Sequence, residues 1–474
     1  MKPTAYLCLS ILLISAGSVL LSLNACGGGN STVTVPPPSP KIEHVVIIFQ
    51  ENRTPDNLFQ DQVLINRHAD IVSSGMNSSN QPIPLTPIDL GTTGSTPQDY
   101  DLSHSHAAFV SMYNGGLMNG ADMISCSPPA NCPVNAQFKY VNPSDVAPYF
   151  ALADQYTFGD RMFQTNQGPS FPAHQFIISG TSAPTASSTS FVAENGMGVP
   201  NAGNNTGCTS PLAEFVWVID PSGNESSKMF PCPDHPTLTD ELDAKGISWR
   251  YYAPSPGSLW TGPNAIQHIC QPQTQSGQLV CTGSAWKNGN VSIPQTNVLM
   301  DITNHNLAAV SWVTPDGASS DHAESNDGSG PSWVASIVNA IGASSYWSNT
   351  AIIITWDDWG GWYDHVPPPK VINDGTSWGS GYVYGFRVPL IVVSPYAKAA
   401  YISHVNHDFG SILNFIEGTF GLASLGYADA HAGDDLSDCF DFTQTPIPFQ
   451  TINAPLNAAH FLNDKRPKTD PDDD

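Results

Sequence analysis

The chain has 474 residues and a net charge of −25, although only 12% of its residues are charged. With 16 Lys and Arg in all, so acidic a surface argues against nucleic acid or an anionic membrane face as a partner. The length accommodates one large α/β domain or a few smaller ones, and the abundance of Gly, Pro, Ser, Thr and Asn is that of a loop-rich extracytoplasmic protein.

The first 26 residues, MKPTAYLCLSILLISAGSVLLSLNAC, have an early Lys and an apolar centre, the layout of a secretory signal. Leu23-Asn24-Ala25-Cys26 resembles a bacterial lipobox, which implies cleavage before Cys26 and its lipidation. Residues 27–40, GGGNSTVTVPPPSP, then serve as a flexible tether. The expectation is a lipoprotein in the periplasm or on the outer membrane, attached through lipidated Cys26, or a secreted protein where the lipobox is not used. An ordinary signal peptide or a single membrane anchor is the alternative.

From residue 41 to about 460 apolar runs recur, each ending in polar residues. EHVVIIFQ (43–50) ends at Glu51-Asn52, LAAVSWVTPD (307–316) at Asp316, and NTAIIITWDD (349–358) at Asp357-Asp358. GISWRYYAP (246–254) and FRVPLIVVSPY (386–396) are two further runs. Continuous β-branched runs predict strands buried on both faces. Helical spacing appears in 144–158, 331–347 and 408–421. The alternation predicts an α/β fold with a mostly parallel central sheet and helices on both faces.

Residues 180–300 are richer in Gly, Ser, Asn and Pro and carry four of the seven cysteines after Cys26. They predict a loop-rich, lid-like insertion in this one domain. Cys126 and Cys132, Cys208 and Cys232, and Cys270 and Cys281 lie close in sequence, as local disulfides would in an oxidising compartment. Cys439 is left over. Residues 461–474 read as an acidic tail.

In open α/β sheets ligands bind beyond the carboxyl ends of the strands. Here those ends carry Glu51, Asn52, Asp316, Asp357 and Asp358, hard oxygen donors suited to one divalent metal ion. Taken singly, each acidic residue could equally cap a turn. Adjacent Asp357 and Asp358 repel each other, and a cation between them makes the pair tolerable. In NQGPSFPAHQF (166–176), Ser170 follows Gly-Pro at the start of a predicted helix, whose free N–H groups suit an anion. A serine there serves as a plain N-cap or, beside a metal, as a nucleophile. His104, His106, His322 and His365 could each donate to a phosphate oxygen or protonate a leaving group; spacing alone does not choose among them.

HVVIIFQENRTPDNLF, NQGPSFPAHQF, TWDDWGGWYDHVPPP, GFRVPLIVVSPYAK and HDFGSILNFIEGTFG together resemble the bacterial phosphoesterase family, which includes phospholipases C and acid phosphatases on an alkaline-phosphatase-like α/β fold. The resemblance covers about 41 to 425. It implies that Glu51, Asn52, Ser170, Asp357 and Asp358 hold the metal and that Ser170 is the nucleophile. His104 and His322 would contact the phosphoryl group, and His268, in AIQHIC, matches a further substrate histidine. Asp364-His365 marks the family but reads as scaffold behind the metal site. The departures are Ser103-His104-Ser105-His106 where the family often has Asp-His-Ser-Trp, Asp408-Phe409-Gly410-Ser411 for Asp-His-Thr-Ser, and Trp356-Asp357-Asp358 for Tyr-Asp-Glu.

The implied activity is metal-dependent hydrolysis of phosphate mono- or diesters through a phosphoserine, with a phospholipid or small phosphomonoester as substrate. The alternative is a non-catalytic surface lipoprotein that keeps the fold and a structural cation site. The Cys-x-Pro-x-Arg signature of sulfatases is absent from the sequence.

Overall fold

A computed structural model describes residues 41–94, 97–199, 206–369 and 384–468. The signal-like stretch, the tether with Cys26 and the last six residues lie outside the described residues. Among the described residues, no helix is long and apolar enough to cross a membrane.

The core is a nine-stranded sheet. In chain order its strands are β1 His44–Gln50, β2 Thr157–Phe163, β3 Trp249–Tyr252, β4 Val291–Ser292, β5 Val310–Val313, β6 Thr350–Trp356, β7 Arg387–Val393, β8 Tyr401–Ser403 and β9 His407–Asp408. The spatial order is β4-β3-β5-β1-β6-β7-β2-β8, with β9 also on β2. All pairings are parallel except those of β7, which runs against both β6 and β2. The five apolar runs are all strands, and Val45–Gln50 and Thr350–Trp356 are buried throughout, so both faces of the sheet are covered.

The covering helices form two groups. Ala147–Gln155 (α1) packs with Gly330–Gly342 (α3), whereas Ser170–Ser179 (α2) packs with Phe409–Phe420 (α4). Local chemistry sets their ends. Asp408 and Ser411 form a reciprocal capping box at the start of α4, and Gly180 and Gly421 close α2 and α4 with φ of 68° and 62°.

β2, TFGDRMF, did not read as a strand in the sequence because Gly159, Asp160 and Arg161 interrupt its apolar pattern. The lid expectation for 180–300 needs correction: β3 and β4 come from this segment and extend the sheet. The other described residues of this segment include the antiparallel strands Val216–Ile219 and Glu225–Met229, the hairpin Pro272–Gln275 with Gln278–Cys281, and short helices. Bridges join Cys126 to Cys132, Cys208 to Cys232 and Cys270 to Cys281, and Cys439 is a buried free thiol. The tail expectation also needs correction at its start. Lys468 pairs with Asp316 at 2.7 Å and Arg466 with Asp327 at 2.7 Å, so this part is docked.

Candidate active site

Strand register brings the first residues together. β1 and β6 are parallel neighbours with Gln50 opposite Trp356, so Glu51-Asn52 and Asp357-Asp358 leave the sheet side by side. Two backbone bonds fasten the exits: Asp357 N donates to Gln50 O and Arg53 N to Asp358 O, each at 3.0 Å. Asn52 adopts a left-handed φ of 59°, which Asn tolerates better than most residues. Its backbone N donates to Asp357 Oδ1 at 3.1 Å. Gly360 then turns the chain against it with φ of 61°; a Cβ there would lie 2.4 Å from the Asn52 carbonyl oxygen.

Ser170 opens α2 directly after Pro169. Its Oγ donates to Asp358 Oδ2 at 3.0 Å. At the same helix start, Phe171 N donates to Asn195 Oδ1 at 2.9 Å. His174 stands four residues on from Ser170, one turn along the same helix face. Its Nε2 is 3.5 Å from Glu51 Oε1 and 3.6 Å from Asp357 Oδ2. Its Nδ1 is 3.3 Å from the Tyr251 hydroxyl, which donates to Trp260 O at 2.7 Å. Glu51, Asn52, Ser170, His174, Asp357 and Asp358 are all fully buried.

His104 joins through Asn52, whose Nδ2 donates to His104 Nε2 at 3.1 Å, while His104 Nδ1 donates to Leu102 O at 2.9 Å. His322 donates from Nδ1 to Ala323 O at 2.7 Å, so Nε2 is its working nitrogen. The two imidazole centroids are 6.0 Å apart. Behind His322, buried Asp321 accepts from Tyr149 Oη and Trp356 Nε1, each at 2.9 Å. Burial pushes its carboxyl up to about 6. Arg53, lowered by burial to about 10, donates from Nε to the Asp321 carbonyl at 2.8 Å.

The remaining sequence candidates lie elsewhere. His268 is half-exposed, with Nδ1 2.6 Å from Asp234 Oδ1 and Nε2 3.1 Å from Asp240 Oδ1. The Asp240 hydrogen bond leads in raising it to about 9, so it is a surface imidazolium and not part of this cluster. His106 pairs with Glu225 through Nδ1 at 3.0 Å. Asp316 is not a ligand candidate in the fold: Ser319 N donates to its Oδ1 at 3.0 Å and Lys468 pairs with its Oδ2. Asp364 and His365 are scaffold. Arg387 donates to Asp364 from Nε and Nη2, both at 2.9 Å to the nearer oxygen, and His365 bridges Asp56 and Asp70 at 2.7 and 3.0 Å.

The donor set fits a divalent cation. Single ligand atoms of Glu51, His174 and Asp357 lie within 4.8 Å of one another, all buried. Asp357 Oδ2, 3.6 Å from His174 Nε2, and Asn52 Oδ1 are buried with no hydrogen bond, a costly arrangement for buried oxygens without a cation. Neither His174 nor Tyr251 stands out in the sequence. The available signal was the Ser170–His174 spacing once a helix was predicted from Ser170.

Residues 42–423 match the Phosphoesterase family, and the chain belongs to it. It is 23% identical over 473 residues to the non-hemolytic phospholipase C of Pseudomonas aeruginosa, covering 91% of this chain and 62% of that protein. It thus spans less than two thirds of that relative's length. Phospholipase C B of Mycobacterium tuberculosis is 25% identical over 455 residues, covering 86% of this chain and 79% of that one. A crystal structure of a protein in the alkaline phosphatase superfamily from Vibrio parahaemolyticus aligns at a TM-score of 0.33 and 10% identity, over 82% of this chain and 70% of that one.

Proposed function

We propose that the protein is a divalent-metal-dependent phosphoesterase of phospholipase C type, with Ser170 as nucleophile and a phospholipid or small phosphate ester as substrate. The observation that carries this reading is the Ser170 Oγ–Asp358 Oδ2 contact of 3.0 Å beside buried Glu51, Asn52 and Asp357. The names of its relatives support the ester class. Three disulfides support an extracytoplasmic location, and Cys26 is the proposed point of lipid attachment.

A cation held by Glu51, Asn52, Asp357 and Asp358 would supply positive charge for the phosphoryl oxygens and ease deprotonation of a nearby hydroxyl. Asp358 already accepts the Ser170 hydroxyl proton, so deprotonation needs no rearrangement. Ser170 Oγ forms a bond to phosphorus as the bond to the leaving alcohol breaks in line. The imidazolium form of His322, with Nδ1 held by Ala323 O, gives its Nε2 proton to the leaving oxygen, and His104, fixed by Leu102, holds the Asn52 side chain beside the phosphoryl group. Water then attacks phosphorus, giving a proton back to His322 Nε2, as the bond to Ser170 Oγ breaks and Asp358 returns the proton to the serine.

Purified protein assayed on p-nitrophenyl phosphate, p-nitrophenylphosphorylcholine and bis-p-nitrophenyl phosphate, across pH and with or without chelator, tests this. Hydrolysis of the phosphorylcholine ester, lost on chelation and restored by metal, is expected. No turnover of any ester by metal-replete protein would favour the non-catalytic surface lipoprotein.

A further inference from the structure

The ring of His174 has a defined orientation, and its consequence concerns the kind of ion the site takes. The Tyr251 hydroxyl has one hydrogen, which goes to Trp260 O at 2.7 Å. Toward His174 Nδ1, at 3.3 Å, that hydroxyl can therefore only accept. Nδ1 carries the proton, and Nε2 of the neutral ring points a lone pair at Glu51 and Asp357. A lone pair facing two carboxylates is repulsive unless something positive lies between them. A proton on Nε2 would draw an oxygen to about 2.7–2.9 Å, the length of a charge-assisted bond. The separations are 3.5 and 3.6 Å instead. Ligand atoms about 2.0–2.2 Å from one ion, at the wide angles of a four- or five-coordinate shell, stand roughly 3.3–3.8 Å apart, which spans these separations. The other Asp357 oxygen is engaged by Asn52 N at 3.1 Å, which turns Oδ2 toward His174.

We propose that His174 Nε2 is itself a ligand of the cation shared with Glu51 and Asp357, and that the site takes an ion of Zn2+, Co2+ or Fe2+ type in preference to Ca2+ or Mg2+. The inference rests on the cation site proposed above and goes beyond it in naming a nitrogen ligand and an ion class. An all-oxygen cage suits hard ions, and one imidazole shifts the preference toward borderline ones. Tyr251 is then the outer partner that fixes the ring, as is usual for metal-bound histidines.

The test uses tag-free protein loaded with Zn2+ to one ion per chain and measured by zinc K-edge X-ray absorption, alongside Co2+ and Ca2+ binding titrations. Wild type should show the outer-shell scattering of an imidazole. His174→Ala should lose it and bind Co2+ at least about tenfold more weakly, with a smaller change for Ca2+. Tyr251→Phe should retain the imidazole scattering with weakened Co2+ binding. Scattering from oxygen alone in wild type would overturn the proposal whether or not the variants fold, as would imidazole scattering that survives in His174→Ala. Binding of divalent ions with oxygen scattering alone overturns only the nitrogen ligand. Failure of wild type to bind any divalent ion overturns the cation reading as well.

Discussion

The stretch TWDDWGGWYDHVPPP supplies two clusters of carboxylate and imidazole only a few residues apart, the second fully buried and the first partly so. Asp364 and His365 meet Asp56, Asp70 and Arg387; Asp357 and Asp358 meet Glu51, Ser170 and His174. The residue types are nearly the same, and the difference is the source of positive charge. In the first cluster it is covalent: the Arg387 guanidinium lies within 3.5 Å of both Asp56 and Asp364, and their carboxylates hold its pKa above the ordinary arginine value against the opposing effect of burial. In the second, no Lys or Arg of the described residues forms an ion pair with Asp357, whose Oδ2 lies 3.6 Å from His174 Nε2, and the cation proposed above would supply the charge. A buried acidic cluster with its own arginine is scaffold, and one without an arginine is where to look for an ion.

Breaking the second cluster should cost activity while leaving the fold. Ser170→Ala is expected to lower kcat/KM by at least about a thousandfold with an unchanged melting profile. Breaking the first should do the reverse. Arg387→Met leaves Asp364 and Asp56 without their counter-ion and should destabilise by about 3–5 kcal/mol in denaturant titration, with turnover of the remaining folded protein largely kept. The histidines sharpen the contrast. His322→Ala should reduce kcat by about a hundredfold, whereas His268→Ala, at the surface, should stay within about twofold of wild type.

The smallest effect concerns pH. Burial, aided by Asp434, pushes Asp408 up to about 7 against the opposing hydrogen bonds from Ser411. A carboxyl raised in the folded state binds its proton more tightly there than in the unfolded chain. Stability is therefore lost as pH rises from the unfolded value near 4 toward 7. Asp408→Asn should flatten this part of the stability profile, measured as melting temperature between about pH 4 and 7.5.

The long apolar runs made β1 and β6 legible, and with them the acidic strand ends. Ser170 was legible because Gly-Pro precedes a helical segment. Strand direction was not: nothing in FRVPLIVVSPY distinguishes the antiparallel β7 from its parallel neighbours. β2 was hidden because Asp160 serves an ion network, accepting at Oδ2 from Asp70 N and approached by His404 Nδ1, both at 2.8 Å. Asp316 looked like a ligand because its partner, Lys468, lies far along the chain. His174 was overlooked because its meaning depends on which helix face meets Glu51 and Asp357, a tertiary fact. His268 was drawn in by sequence likeness, and the fold instead places it between Asp234 and Asp240.

The most direct test of Ser170 as nucleophile is acid quenching during turnover of a 32P-labelled phosphate ester, followed by peptide mapping. Label on the peptide carrying Ser170, absent from Ser170→Ala, is the predicted result. Rapid turnover with no protein-bound label under conditions that trap such esters, or label on another residue, would contradict it.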